Sequence, residues 1–213
     1  MKKLVLLAIM LSFSVVVSAQ QRHQETNGIG IYGGANQASI NTSNFNIQPE
    51  LGWNAGFQVR GNYYNDFDMV YAIQFSENNF SVATTDGFSA PEEVKYKLSG
   101  AQVSLMLSYK IFEPYLSVEI GPVAQFNGKL ELDEAQEQNT ISGTTLKAVD
   151  ITDVNRFNFH GAIGVTAGVK HVRVSLQYLY GINNVLGNLN DNGNGNNFKG
   201  HLGIISGNLI VFL

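Results

Sequence analysis

The sequence predicts an all-β chain, an eight-stranded antiparallel up-and-down transmembrane β-barrel with short periplasmic turns and long extracellular loops. Three observations predict it. An apolar leader opens the chain, eight segments of period-two alternation follow, and the connections between them alternate long and short. Composition agrees. Charged residues are 14% of the 213, whereas ordinary soluble domains carry about 25%. With 11% aromatic residues and 22 glycines, this is no disordered chain but a β-protein that turns apolar side chains toward something other than water. A net charge of −4 without a basic cluster excludes a nucleic-acid partner. The absence of cysteine excludes disulfides, and also a lipid anchor behind the leader.

The leader has the export pattern. Met1-Lys2-Lys3 is positive, residues 4–17 are apolar apart from Ser12 and Ser14, and Val17-Ser18-Ala19 supplies residues suited to cleavage before Gln20. A run of about 14 residues falls short of the roughly 20 that a spanning helix needs. The expected organisation is therefore a signal peptide at 1–19, a short N-terminal segment at 20–26 and one barrel domain at 27–213.

The strands follow in order. The first runs over 28–36, with Ile29 and Ile31 on one face. The second alternates Leu51, Trp53, Ala55, Phe57 and Val59 with polar or small residues. The third does so with Phe67, Met69, Tyr71, Ile73 and Phe75, and the fourth with Val103, Leu105, Leu107 and Tyr109. Leu116, Val118 and Ile120 mark the fifth. Phe157, Phe159, Ile163 and Val165 mark the sixth, and Val172, Val174, Leu176, Tyr178 and Tyr180 the seventh. The eighth, 198–213, is apolar on both faces, and a bulge near Ser206 would reconcile its halves. Short connections are expected at 61–65, 110–114 and 170–171, and long ones at 38–48, 78–98, 127–155 and 182–197. All long loops then fall on one side, with both termini periplasmic.

In a soluble sandwich the apolar face of such strands turns inward. In a membrane barrel it turns outward to lipid. The opposite face here is small and polar, with isolated charges, which suits a narrow interior filled by side chains. Glu50, Arg60, Glu119, Arg173 and Lys199 are expected to face that interior and pair there, since an unpaired charge would be costly. Trp53, Tyr63, Tyr64, Tyr109, Tyr115, Tyr178 and Tyr180, near strand ends, fit interfacial girdles.

Three stretches carry a family resemblance. Gly28-Ile29-Gly30-Ile31-Tyr32-Gly33-Gly34-Ala35-Asn36 resembles the opening strand of the PorT-like outer-membrane β-barrel family of Bacteroidota. Pro49-Glu50-Leu51-Gly52-Trp53-Asn54-Ala55-Gly56-Phe57 resembles its second strand, and Leu105 to Tyr115, ending Tyr109-Lys110-Ile111-Phe112-Glu113-Pro114-Tyr115, resembles its hairpin of strands 4 and 5. The resemblance spans nearly all of the mature chain and implies an outer-membrane barrel. The family's named member is associated with secretion across that membrane. The chain departs from many outer-membrane barrels in placing Phe212 one residue before its end.

Motifs that would carry chemistry fail on context. Gly28-x-Gly30-x-x-Gly33 has the spacing of a dinucleotide loop but lacks the βαβ unit around it. Asn190-x-Asn192-x-Asn194-Gly195 resembles the start of a calcium loop, yet the leading Asp is missing and His201 stands where a bidentate Glu belongs. His23, His160, His171 and His201 show no metal-ligand spacing, and no Gly-x-Ser-x-Gly elbow occurs. Asp66 and Asp68 share a face near a short turn and read as solvated or paired. No catalytic, cofactor-binding or metal residue is assigned, and no cofactor is expected.

The loops remain. The third carries Glu131, Asp133, Glu134, Glu137, Asp150 and Asp153 against Lys129 and Lys147. The second carries Asp86, Glu92 and Glu93 with Lys95 and Lys97. The expected protein is a non-enzymatic outer-membrane barrel with surface loops for binding or adhesion. Its partners are outer-membrane lipid and an extracellular or envelope protein met through the loops. The alternatives are an accessory part of a secretion or envelope-assembly machine, and a soluble secreted or periplasmic β-barrel binding a small ligand.

Overall fold

The computed structural model describes residues 28–85, 92–112, 115–190 and 197–213. The expected signal peptide and the segment 20–26 lie outside these residues. The described chain forms one antiparallel sheet. Its strands are β1 (Gly28–Thr42), β2 (Ile47–Tyr64), β3 (Phe67–Thr85), β4 (Glu92–Phe112), β5 (Leu116–Glu131), β6 (Thr140–Ile141), β7 (Phe157–Gly168), β8 (Val172–Gly181) and β9 (Gly200–Phe212). Among the described residues no helix is long and apolar enough to cross a membrane.

The expected eight-stranded up-and-down barrel is corrected. The sheet has nine strands, in the order β2-β1-β9-β8-β7-β5-β4-β3-β6, with a further pairing of β2 to β3. The unforeseen strand is β6. It lies between β5 and β7 in the chain but pairs with β3, Thr84 opposite Ile141 and Thr85 opposite Thr140. The cause is an edge. β3 outruns β2, whose pairing ends at Ile47 opposite Val82, and the exposed backbone beyond it recruits a segment of the long connection. Ser142 N–H donates to Ala83 C=O at 3.0 Å and closes the join.

The expected loops are corrected too. The stretch 38–48 is mostly strand, and β1 and β2 are joined by 43–46 alone. The stretch 78–98 is strand except at 86–91, which lies outside the described residues. Both hairpins grow upward because their inner positions there are apolar and find a core. The turn between β2 and β3 narrows to Asn65-Asp66, where Asn65 takes a left-handed φ of 46° that its short polar side chain tolerates. Long connections survive only at 132–156 and 182–199, each folded over short 3₁₀ turns.

Polarity inverts along β3 and β4, and this organises the molecule. On β4 the outward residues are Glu93, Lys95 and Lys97, then Ala101, Val103, Leu105, Leu107, Tyr109 and Ile111. The inward residues change in the opposite sense, from Val94, Tyr96 and Leu98 to Gln102, Ser108 and Lys110. On β3 the outward residues run from Phe67 to Phe75 and then become Glu77 and Asn79, as the inner ones pass from Asp68 and Gln74 to Phe80 and Val82. The switches stand at one height, since Phe75 pairs with Ala101 and Glu77 with Ser99. Below that height the sheet is apolar outside and mostly polar inside, with Val70, Met106, Val123 and Leu179 buried among the polar residues. Above it the order is that of a water-soluble protein, with Tyr96, Leu98, Ile151, Leu186 and Phe198 in a buried core. Phe80 stacks on Tyr96 at 5.5 Å, and Tyr96 Oη donates to Ala148 C=O at 3.0 Å, which ties the loop 132–156 to the sheet.

The last strand needs no bulge at Ser206. β9 pairs with β1 without a register shift from Gly200 opposite Thr42 to Phe212 opposite Gly30. Its two apolar faces have separate causes. Leu202 and Ile204 join the upper core. Ile210 and Phe212 occupy the room that glycines leave on β1, since a Cβ on Gly30 would sit 3.2 Å from Ile210 Cγ2.

Not every glycine is required in this way. A Cβ on Gly121 would fall on the Leu105 carbonyl oxygen of β4, whereas one on Gly207 would meet nothing within 4 Å. Gly121→Ala is expected to destabilise by about 1–3 kcal/mol through forced overpacking, with Gly207→Ala neutral or slightly stabilising. Urea midpoints in detergent micelles compare the two.

Candidate functional site

The inner face below the inversion is the candidate site. Three layers fill it. Nearest the short turns lies a charged layer. Arg60 on β2 places Nη1 3.3 Å from Asp68 Oδ2 of β3 and donates to Ser108 Oγ of β4 at 2.8 Å, while Nη2 is paired with Glu119 of β5. Lys110 on β4 lies 3.5 Å from the other oxygen of Asp68. Gln177 of β8 donates to Glu119 Oε2 at 3.4 Å. Arg173 of β8 faces the same layer, with its guanidinium carbon 5.5 Å from the centre of the Phe212 ring. All these charged side chains are buried.

Above them runs a chain of amides. Tyr32 Oη donates to Gln74 (2.9 Å), Gln74 to Gln102 (2.7 Å), Gln102 to Gln125 (2.7 Å), Gln125 to Asn127 (2.6 Å), and Asn127 to the carbonyl of Asn155 (3.1 Å). Register makes it possible, because Gln74, Gln102 and Gln125 are direct cross-strand neighbours. Gly56, between Tyr32 and Gln74 in the pairing, has no side chain to block the tyrosine. All bonds in the chain point the same way, so each polarises the next. The last ties the sheet to the long connection. The third layer is the apolar core, which seals the loop end.

Little space remains. A cavity of about 20 Å³ lies among Tyr32, Gln58, Gln102, Gln177 and Asn208, room for about one water. Gln58 Nε2 and Asn208 Oδ1, both at this cavity, have no protein partner.

Of the residues expected inside, Arg60, Glu119 and Arg173 are there. Glu50 and Lys199 are corrected. Glu50 pairs with the exposed Lys95 at 3.4 Å above the inversion, and Lys199 is exposed in the 182–199 connection. Asp66 and Asp68 part company, one exposed in the turn and one fully buried. Lys110 was assigned to a turn, but it continues the even-numbered inner face of β4 through Gln102 and Ser108, and that alternation was the signal for it. The glutamine chain had no signal in any one strand.

His160 is wholly buried with neither ring nitrogen bonded. His201 faces outward, stacked 5.6 Å from Tyr180. His171 is exposed at the turn before β8, and His23 lies outside the described residues. The glycines of the dinucleotide-like spacing lie within strand β1. Most of the calcium-like stretch lies outside the described residues, but Asn190 spends its side chain on both backbone groups of Phe198. No group of three or more His, Cys, Asp or Glu among the described residues could hold a metal ion, nor do these residues assemble a nucleophile and base.

Residues 18–187 match the family model described as outer membrane protein beta-barrel domain. The chain belongs to that family. Among solved structures it is similar to Neisserial surface protein A, with 13% identity, 89% of this chain and 100% of that one covered, and a TM-score of 0.49. It is also similar to Ail, the attachment invasion locus protein of Yersinia pestis, in complex with the heparin analogue sucrose octasulfate. There the identity is 12%, the coverage 89% and 99%, and the TM-score 0.48. No curated protein matches the chain.

Removing one member of the charged layer strands the others. Glu119→Ala is expected to cost about 3–5 kcal/mol, because Arg60 keeps only Asp68, which Lys110 already shares. Tyr32→Phe removes one bond of the amide chain and should cost about 0.5–1.5 kcal/mol. Equilibrium urea unfolding in micelles measures both.

Proposed function

We propose that the protein is a non-enzymatic integral outer-membrane protein. Its interior is a plug of paired polar side chains, and its loop-side extension is a platform for binding or adhesion above the lipid. The observation that carries this reading is the polarity inversion at Phe75 and Ala101. Below it, outward positions 101–111 of β4 are apolar over eleven residues, against the roughly 9–11 that a tilted strand needs to cross the hydrocarbon layer. Exposed Trp53 and Phe126 stand near its upper margin and Tyr63, Tyr109 and Tyr115 near its lower one, as interfacial girdles do. Above it the surface is charged and the inside apolar, as water requires.

Conduction is not part of the reading, because the charged layer and the chain of amides join β2, β3, β4 and β5 across the inner face, and the cavity beside Gln58 and Asn208 has room for about one water. The platform is a folded structure, since 132–156 and 182–199 contribute Ile151 and Leu186 to a common core. Residues held on such a scaffold suit recognition. The strand motifs at 49–57 and 105–115 support a PorT-like, Bacteroidota-type member of the family, and the leader supports export with cleavage after Ala19.

An arginine scan along the outward face of β4 tests the reading. Leu105→Arg should cost about 2–4 kcal/mol and Ala101→Arg, at the margin, about 0–1 kcal/mol. Equal costs at both sites, or a protein extracted without detergent and showing no mobility shift on boiling, would sink it.

A further inference from the structure

The charged layer holds Arg60, Lys110 and Arg173 against Asp68 and Glu119, among the described residues. Both carboxylates are engaged. Arg60 contacts the two, Lys110 shares Asp68, and Gln177 takes the second oxygen of Glu119. Arg173 is left over. It is 4% exposed, yet among the described residues no carboxylate lies within 4.0 Å of it and no protein group accepts a hydrogen bond from it, its Nε being buried and unpartnered. Its guanidinium carbon lies over the face of Phe212, 5.5 Å from the ring centre.

A guanidinium does not shed its proton at any ordinary pH. Asp68 and Glu119 act on Arg173 only from beyond contact distance and are already shared with Arg60 and Lys110, and an enclosed charge with no counter-charge in contact is costly. Water would satisfy its N–H groups but leave the charge. A small anion does both. We propose that Arg173 is the anchor of a monovalent-anion site, of the halide class, on the inner face of the sheet at its short-turn end. The size class follows from the filling of the interior, where the neighbouring cavity has only about 20 Å³. The direction of access follows from the apolar core, which seals the loop end. The anion completes the charged layer, so folding stability depends on its concentration.

The full chain in detergent micelles is unfolded by urea at constant ionic strength, with chloride replaced stepwise by gluconate. For a site half-filled at about 10 mM, about 100 mM chloride shifts the folding equilibrium about tenfold toward the folded form. Arg173→Gln should lose that dependence and Arg173→Lys should keep it. A wild-type protein indifferent to the exchange, or an Arg173→Gln protein that responds as the wild type does, overturns the proposal. If Arg173→Gln does not fold, crystals of the wild type soaked in bromide decide. An anomalous peak within hydrogen-bonding reach of Arg173 upholds the site, and none there refutes it.

Discussion

The inner face of this sheet has no second layer to cover it, so every side chain that points inward must be filled and satisfied by others from the same sheet. Below the inversion of polarity that constraint accounts for most of what is found. Glycines stand where neighbouring strands need room, as Gly30 does beneath Ile210 and Gly121 against the backbone of β4. Arg60 draws on three other strands at once, because a central cation in a narrow interior is within reach of them all. The glutamines join end to end across β3, β4 and β5 because direct register sets them side by side. A polar interior of this kind is acceptable only when it is nearly complete, since each missing partner costs about as much as a bond contributes.

The same constraint has a different solution above the inversion. There the outer face meets water, the inner positions turn apolar, and two long connections fold inward to supply the missing layer. The result is a small apolar core set on the end of a sheet whose outer face is apolar. Tyr96 joins the two regimes, stacked on Phe80 and bonded to Ala148 of the connection. β6 adds the last piece by covering the edge that β3 exposes. Family membership and the inversion therefore meet in one account. On the proposed reading, the lower part places the protein in the membrane and the upper part presents a shaped surface outside it.

Period-two alternation is a local property, and it was legible along nearly every strand. Leu105, Leu107 and Tyr109 were placed on one face, and Arg60, Glu119 and Arg173 on the other, from sequence alone. The extent of the hairpins was not legible. In 78–98 the alternation persists but its apolar and polar faces exchange, and a reader following one face meets charge and takes it for a loop. Lys110 was lost in the same way, at a strand end next to a turn. The two-faced apolar character of β9 suggested a bulge, when the answer lay in the glycines of β1 and the upper core.

The sequence by itself determined the two faces of the strands and the general outer-membrane β-barrel family, because these depend on neighbours two residues apart and on composition. Only the tertiary structure decided which charges meet and where the outer surface changes from apolar to charged. Those depend on register between distant strands. Arg60 and Glu119 are 59 residues apart in the chain, and a slip of one residue would send either side chain to the opposite face. The pairing of β6 with β3, at Thr84 and Ile141, is of the same kind, since nothing within two residues of Ile141 names its partner.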